Sequence, residues 1–158
     1  MPLPVKLSDI VAAMDFQMDE FSSYLNRDTG EIVTISDEEF RAVEDEEPLE
    51  NFPEWEWENL RIAREILWGA KGVYVQLPTK WDIDEWRMMD RFARWAVEDE
   101  QASQELQFAI RGRGAFRMFK HLIHRLGIAD QWYEYREQAL REIARDWCEA
   151  NGIPYVED

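Results

Sequence analysis

The chain has 158 residues, of which 46% are hydrophobic, and its formal net charge is −16, from 18 Lys and Arg against 34 Asp and Glu. A field of that sign repels nucleic acid and anionic membrane surfaces, which argues against binding to double-stranded DNA. The single cysteine, Cys148, excludes an intrachain disulfide, and neither a signal peptide nor a membrane span is visible, so a cytoplasmic protein is expected.

The acidic charge is concentrated towards the N-terminus. Residues 1–60 hold 3 Lys and Arg against 17 Asp and Glu, whereas residues 61–158 hold 15 against 17. The length and hydrophobic content are those of one compact domain, so we predict a single domain over residues 1–158 with an acidic N-terminal part.

The first elements in chain order are a short helix and a hairpin. Extended residues at Val5 lead to Ser8, a favourable N-cap for a helix that runs to about Phe16. Two β-rich runs then flank the turn-forming residues Asn26–Gly30, which predicts a β-hairpin over residues 21–35.

The next residues indicate a capped helix and an acidic connector. Ser36 and Glu39 have the spacing of a capping box, which predicts a helix over about residues 37–45. Residues 44–53 are acidic but include apolar side chains, so they are expected to connect two elements of one domain rather than to form a disordered tail.

The middle of the chain predicts a further helix and a third strand. Pro53 suits a first helical turn, and Gly69 ends the helix that follows. Residues 73–77 are β-rich, and because an isolated hairpin is marginal in water we expect them to pair with the hairpin as a third strand.

From residue 81 to residue 151 the hydrophobic pattern is helical. Asp82 or Asp84 caps the first helix of this part, a helix over about residues 115–126 follows a glycine-rich turn, and the last helix covers about residues 129–150. The predicted fold is therefore α+β and mostly α, a helical bundle in the C-terminal two-thirds with a small antiparallel sheet built from the N-terminal hairpin. Most of the eight tryptophans are expected in the core or at its edge.

Residues 111–125 break the acidic composition, since they contain five Lys and Arg, both histidines and no Asp or Glu. A glycine-rich turn before a helix offers free backbone N–H groups and the positive end of the helix dipole, which favour an anion. The candidate anion-binding or partner-binding residues are Arg111, Arg113, Gly114, Arg117 and Lys120. The alternative is that these cations pair with the surplus carboxylates of the chain itself, which the acidic composition favours.

Other chemically capable side chains are better explained without a reaction. His121 and His124 have the i, i+3 spacing of a ligand pair, but no acid lies in their segment, so no metal site is predicted. The acidic cluster at residues 44–47 matches no calcium loop. Cys148 is expected to be a small apolar filler, and neither a cofactor nor a catalytic constellation is indicated.

Three segments carry a resemblance to a known family. The hairpin residues 23–33, the glycine-arginine segment 112–120, and the Trp132-Tyr133 pair before a long helix ending in Trp147-Cys148 resemble the bacterial uncharacterised protein family 0158. The resemblance follows the same order along nearly the whole chain. It implies no established activity, substrate or catalytic residue.

Two hypotheses about function follow. In the first, the protein is a non-enzymatic binding or regulatory module whose basic segment, residues 111–125, faces an anionic small ligand or protein partner, beside an apolar wall formed by Phe116, Trp132 and Tyr133. In the second, it is an acidic interaction protein, or a nucleic-acid mimic, that docks a basic partner through residues 37–58. An enzymatic function has no visible signature.

Overall fold

The secondary-structure elements form two units, each with its own internal contacts. The computed structural model describes residues 3–16 and 18–158. The sheet unit comprises the chain up to Thr79 together with Ala144–Asp158, and the helical unit is Lys80–Ile143. Helices predominate and one small antiparallel sheet is present, which confirms the predicted fold class. The prediction of a single domain stays a prediction.

The antiparallel sheet has three strands in the order β3-β2-β4. Strands β2 (Phe21–Asn26) and β3 (Ile32–Ser36) form the predicted hairpin, with Tyr24 opposite Val33. Strand β4 (Tyr74–Gln76) pairs with the other edge of β2, which confirms the expected third strand.

The hairpin turn is closed by its own polar side chain and a glycine. The Asn26 side-chain oxygen accepts a hydrogen bond from the Asp28 N–H at 2.9 Å, as in an Asx turn. Gly30 has a φ of +75°, in the left-handed region that glycine enters without steric cost. The turn therefore joins β2 and β3 at the residues that the sequence predicts.

Two helices pack beside this sheet. Helix α2 (Asp37–Glu44) begins with the predicted capping box, in which the Ser36 hydroxyl accepts from the Glu39 N–H at 3.0 Å and the Glu39 carboxylate accepts from the Ser36 N–H at 2.9 Å. Helix α3 (Trp57–Trp68) follows the acidic connector, and Pro53 precedes a short 3₁₀ turn, Glu54–Glu56, instead of lying in the helix itself. The core of this part consists of Ile35, Ala42, Val43, Leu60 and Ala63.

The two chain ends of the sheet unit meet in a way that the sequence did not predict. Strand β1 (Val5–Lys6) pairs in parallel with β5 (Tyr155–Val156). Helix α1 (Leu7–Asp15) begins before Ser8, so the prediction that Ser8 is its N-cap is wrong. Ser8 instead donates its N–H to the Asp158 carboxylate at 3.0 Å, and its hydroxyl donates to the same carboxylate. A residue 150 positions away thus satisfies a free N–H group at the start of α1.

The helical unit contains several shorter helices where the pattern predicted longer ones. They are α4 (Lys80–Ile83), α5 (Glu85–Arg91), a π-helical turn (Phe92–Ala96), α6 (Glu100–Ala109), α7 (Ala115–Arg125) and the start of α8 (Ala129–Ala150). The Asp84 side chain caps α5, and the bounds of α7 and α8 lie close to those predicted. The buried Ser103 hydroxyl donates to the Ala93 carbonyl at 2.5 Å, so the π-helical turn has a bonding partner from α6.

Aromatic rings form the core of the helical unit. Trp132 is 2% exposed and lies edge-on to Phe119 and Phe92, with ring centroids 4.8 and 5.2 Å apart. Edge-to-face contacts of this kind add to the stabilisation that area burial provides. The prediction for most of the tryptophans is wrong, because five of the eight are exposed, namely Trp55, Trp68, Trp81, Trp86 and Trp95. None of the helices in the described part of the chain combines the length and apolarity that a bilayer crossing requires.

Candidate anion-binding turn and groove

The glycine-arginine segment forms the turn between α6 and α7. Gly114 has a φ of +71° and stands at the N-cap of α7, where it supplies no capping side chain. The first hydrogen bond of the helix runs from the Met118 N–H to the Gly114 carbonyl at 2.9 Å. Among the described residues, no side chain bonds to the backbone N–H groups of residues 115–117. The helix start therefore offers three donors to a bound anion.

The turn is held in place from both sides. Just before it, the Ile110 carbonyl accepts a hydrogen bond from the Trp86 indole at 2.8 Å, and Ile110 itself is buried. Just after it, Phe119 and Ile123 bury one face of α7 in the aromatic core. The backbone on either side of the turn is thus anchored by the core while the turn itself stays exposed.

The predicted cations lie at this turn and are all exposed. Arg111 and Arg113 are in the turn, Arg117 is in the first turn of α7, and Lys120 lies in the next. The Arg117 guanidinium folds back over the helix start, since its Nη2 atom is 3.9 Å from the position that a Cβ on Gly114 would occupy. Of the sequence-predicted cations, Arg117 thus lies close to the helix start, and the others lie in the turn or one helical turn further on.

These cations are not neutralised by carboxylates of their own unit. Within the described helical unit, none of the four forms an ion pair, whereas three other arginines of the unit do: Arg94 with Asp90 at 2.9 Å, Arg125 with Glu105 at 3.2 Å, and Arg136 with Glu85 at 2.7 Å. The alternative prediction, in which the cations of the basic segment pair with the surplus acids of the chain, finds no support inside the helical unit. We call Arg111, Arg113, Gly114, Arg117 and Lys120 the basic turn.

A groove of about 450 Å³ runs beside the turn between α6 and α7. Its floor and sides are mostly apolar, and two of its apolar side chains are exposed to solvent: Phe108 is 74% exposed and Met118 is 50% exposed. Ala109 and Leu122 complete the apolar lining, and the polar rim includes Gln101, Gln104, Glu105, His121 and Arg125. Sequence reasoning missed this groove because its lining comes from two helices.

The prediction of an apolar wall formed by Phe116, Trp132 and Tyr133 is wrong in part. Trp132 is buried in the core and takes no part in the surface. Phe116 and Tyr133 are exposed, at 48% and 46%, but neither lines the groove. The apolar side chains that line the groove in its place are Phe108 and Met118. Phe116 faces solvent because Phe119 and Ile123 occupy the core side of α7.

The remaining candidates have ordinary structural surroundings. His121 and His124 are exposed on α7, and no group of three or more His, Cys, Asp or Glu converges anywhere in the described residues. Cys148 is buried, and burial followed by the charge of Glu149 raises the pKa of its thiol to about 11. A thiol held in its neutral form is a poor nucleophile.

The acidic segment at residues 37–58 presents a different surface. Trp55 is 80% exposed in the 3₁₀ turn between two glutamates. The pKa of Glu56 is raised above its ordinary value. The largest cause is desolvation, followed by the charge of Glu39, a hydrogen bond with Glu39 and the charge of Glu38. Carboxylates are therefore crowded enough at this turn to affect one another.

Comparison with known proteins gives the family of the chain. A curated relative, UPF0158 protein PA5073 of Pseudomonas aeruginosa, is 39% identical over 67 residues, which cover 42% of this chain and 43% of that protein. The match thus spans less than half of the length of the relative. No solved structure matches the chain. The model of the uncharacterised protein family UPF0158 matches residues 1–158, and the chain belongs to this family.

Proposed function

We propose that the protein is a non-enzymatic binding or regulatory module that holds an anionic group of a ligand or partner at its basic turn. One observation carries the proposal. Four exposed cations lie within the uncapped turn before α7 and the first two turns of α7, and none is paired with a carboxylate of its own unit, in a protein whose net charge is −16. A free cluster of cations in so acidic a chain is best explained by an anion that comes from outside.

The geometry supports phosphate or carboxylate as the anionic group. Three backbone N–H groups at the start of α7 and the positive end of the helix dipole favour a compact anion. The Arg117 guanidinium lies close to the same helix start, and a guanidinium pairs with carboxylate or phosphate oxygens through two parallel hydrogen bonds. Arg111 and Arg113 add positive charge in the turn itself.

The rest of the chain restricts how large the anion is. At physiological ionic strength, charge interactions between exposed groups fade over about 8 Å. A small or localised anion therefore meets mainly the basic turn, whereas a long polyanion such as DNA also meets the acidic surface of the protein.

We further place the protein in the cytoplasm, because its single free thiol suits a reducing compartment.

Titration with inorganic phosphate and with acetate, followed by backbone NMR, tests this function. We expect saturable shifts of the amide signals of residues 115–117 in the wild-type protein. These shifts should be lost in Arg117→Glu and kept in the control Arg91→Glu, which reverses an exposed charge on α5 of the same unit. Equal phosphate shifts in the wild-type protein and Arg117→Glu would overturn the proposal.

The acidic segment supports a second candidate, an interaction protein that docks a basic partner through residues 37–58. The observation in its favour is Trp55, which stands 80% exposed beside glutamates and so offers an aromatic anchor within a negative surface. Exposed tryptophans of this kind are enriched among binding hot spots. Binding of a lysine-rich peptide that is lost in Trp55→Ser and kept in Trp95→Ser would support this candidate, and equal loss in both would refute it.

A further inference from the structure

The groove between α6 and α7 has the form of a binding site for a helix. On α6 its lining residues Gln101, Gln104, Glu105 and Phe108 have the spacing i, i+3, i+4 and i+7, and on α7 the same spacing recurs in Met118, His121, Leu122 and Arg125. Each set therefore forms one stripe of its helix. Two such stripes with a groove between them are the kind of surface on which an amphipathic helix lies in helix-in-groove recognition. We call the space between them the trough.

The open form of the trough favours a macromolecular segment over a small molecule. Helix α6, which forms one side of the trough, has ten residues and at about 1.5 Å per residue is roughly 15 Å long. The trough is open along its length, so a small ligand lying in it would leave Phe108 and Met118 partly in water. Sites for small molecules instead enclose about 70–90% of the ligand surface. A helix that belongs to a partner protein is large enough to cover both Phe108 and Met118.

The charge is distributed unevenly along the trough. Glu105 and Arg125 on its rim form an ion pair at 3.2 Å and neutralise each other. Arg117 lies four residues before His121 and so continues the α7 stripe towards the basic turn, where its guanidinium is unpaired within the helical unit. The apolar side chains of the trough therefore lie near the basic turn, where the positive charge is unpaired, and the lining farther from the turn is polar.

We propose that this groove binds an amphipathic helix of a protein partner, with apolar side chains against Phe108 and Met118 and an acidic residue at the basic turn. Charge complementarity identifies the acidic end, and this part rests on the proposed function of the turn. The exposed apolar side chains identify the apolar stripe independently of it. The anion is then a carboxylate carried by the partner.

Selection from a library of short random peptides displayed on phage tests the proposal. The enriched peptides should place apolar residues at i and i+3 or i+4, with Asp or Glu near one end. The most enriched peptide, synthesised with a fluorescent label, should bind with at least tenfold lower affinity to Phe108→Ser and to Arg117→Glu. Trp95→Ser is the matched control, because Trp95 is an exposed aromatic side chain of the same unit outside the groove. The peptide should bind this variant with unchanged affinity.

The variants separate the two parts of the proposal. If only Phe108→Ser weakens binding, the groove is supported and both the acidic end and the proposed function of the turn are overturned. If only Arg117→Glu weakens binding, the turn is supported and the groove is overturned. No enrichment over the Phe108→Ser variant also overturns the groove. Displacement of the peptide by decanoate at the same molar affinity would assign the groove to a small amphipathic anion. A dimer in light scattering that Phe108→Ser abolishes would assign the groove to a second copy of the chain. Either result would overturn the proposal of a partner helix.

Discussion

Two helix N-termini in this protein have opposite chemistry. At α2, Ser36 and Glu39 form a complete capping box, and three acidic residues, Asp37 among them, lie in the first turn. At α7, Gly114 supplies no capping side chain, no acid lies in the first turn, and Arg117 lies near the helix start. The first arrangement satisfies the free N–H groups and complements the helix dipole, whereas the second leaves the N–H groups free and places positive charge beside a positive dipole.

Under the proposed function, the two helix starts meet separate requirements, one for stability and the other for binding. A charge of the unfavourable sign at a helix end costs about 0.3–1 kcal/mol, so Arg117 and its neighbours make α7 somewhat less stable than acidic residues would. The chain contains many carboxylates that could serve as caps, and it uses Asp84 and Asp99 in this way at α5 and α6. The arrangement at α7 thus accepts a small cost in stability and keeps donors available for an anion.

The largest expected loss of stability follows from a substitution in the aromatic core of the helical unit, compared with one on its surface. Replacing Trp132, which is 2% exposed, by alanine should destabilise the unit by about 3–5 kcal/mol, because it removes the ring that contacts Phe92 and Phe119. Replacing Trp95, which is 83% exposed, should change stability by less than about 0.5 kcal/mol. Urea unfolding followed by circular dichroism measures both values.

The same Trp132→Ala variant tests the predicted single domain. Cys148 is buried in the sheet unit, so its reaction with a thiol reagent reports the opening of that unit. In one cooperative domain, Trp132→Ala should shift the thiol exposure and the loss of helix to the same lower urea concentration. Two separate transitions, with Cys148 still protected after the first, would refute the single-domain prediction.

Much of the fold was predictable because its signals are local. The hairpin turn at Asn26–Gly30, the capping box at Ser36 and the bounds of α8 each depend on residues close together in the sequence. Extended residues at Val5 were predicted, but β5 and its pairing with β1 were missed because each strand has two residues and the pairing joins opposite ends of the chain. No pattern within ten residues carries information about such a pair.

The candidate site shows the same division between local and tertiary information. The basic turn is nearly contiguous in the sequence, so its residues were identified without a structure, and the structure shows that all of them are exposed. The groove requires α6 to pack against α7, and the exposure of Phe108 and Met118 follows from that packing. The burial of Trp132 and the exposure of Phe116 likewise depend on which face of each helix meets the core.

The next prediction concerns the capped helix start. Ser36→Ala should destabilise the sheet unit by about 1 kcal/mol, because the Glu39 N–H loses its side-chain acceptor. Thermal unfolding gives the value, and the control is Ser22→Ala in strand β2, a serine without a capping role, which should change stability less. Equal losses in the two variants would mean that the capping box contributes nothing particular to α2.

At the basic turn, charge reversal should leave stability nearly unchanged. Arg113→Glu and Arg117→Glu should each shift the free energy of unfolding by no more than about 1 kcal/mol, because exposed guanidinium groups contribute little. Arg117→Glu is expected on the stabilising side, since it places an acid in the first turn of α7. A loss of about 3–5 kcal/mol in both variants would show that the arginines are internal clamps, and the proposed anion site would be refuted.

The smallest expected change in stability concerns Glu56, one of the crowded acidic residues of the segment at residues 37–58. Desolvation and the nearby Glu39 raise the pKa of Glu56 in the folded protein, so the folded state binds its proton more tightly than the unfolded state does. Stability should therefore fall as the pH rises from the ordinary carboxyl pKa of 4.5 through the folded value. Glu56→Gln, which mimics the protonated form, should be more stable than wild type at pH 7 by less than about 1 kcal/mol, since the group is screened by solvent.

This gain should disappear below pH 4.5, where the wild-type side chain is protonated in both the folded and the unfolded state. Glu54→Gln removes the same charge from the same 3₁₀ turn and controls for the general repulsion in a chain of net charge −16. Thermal unfolding of both variants across this pH range measures the difference. A gain for Glu56→Gln that is equal to that of Glu54→Gln, or that persists at low pH, would show that the acids at this turn repel one another no more than those elsewhere. The second candidate function would then keep Trp55 as its anchor and lose the concentrated negative charge that distinguishes this turn.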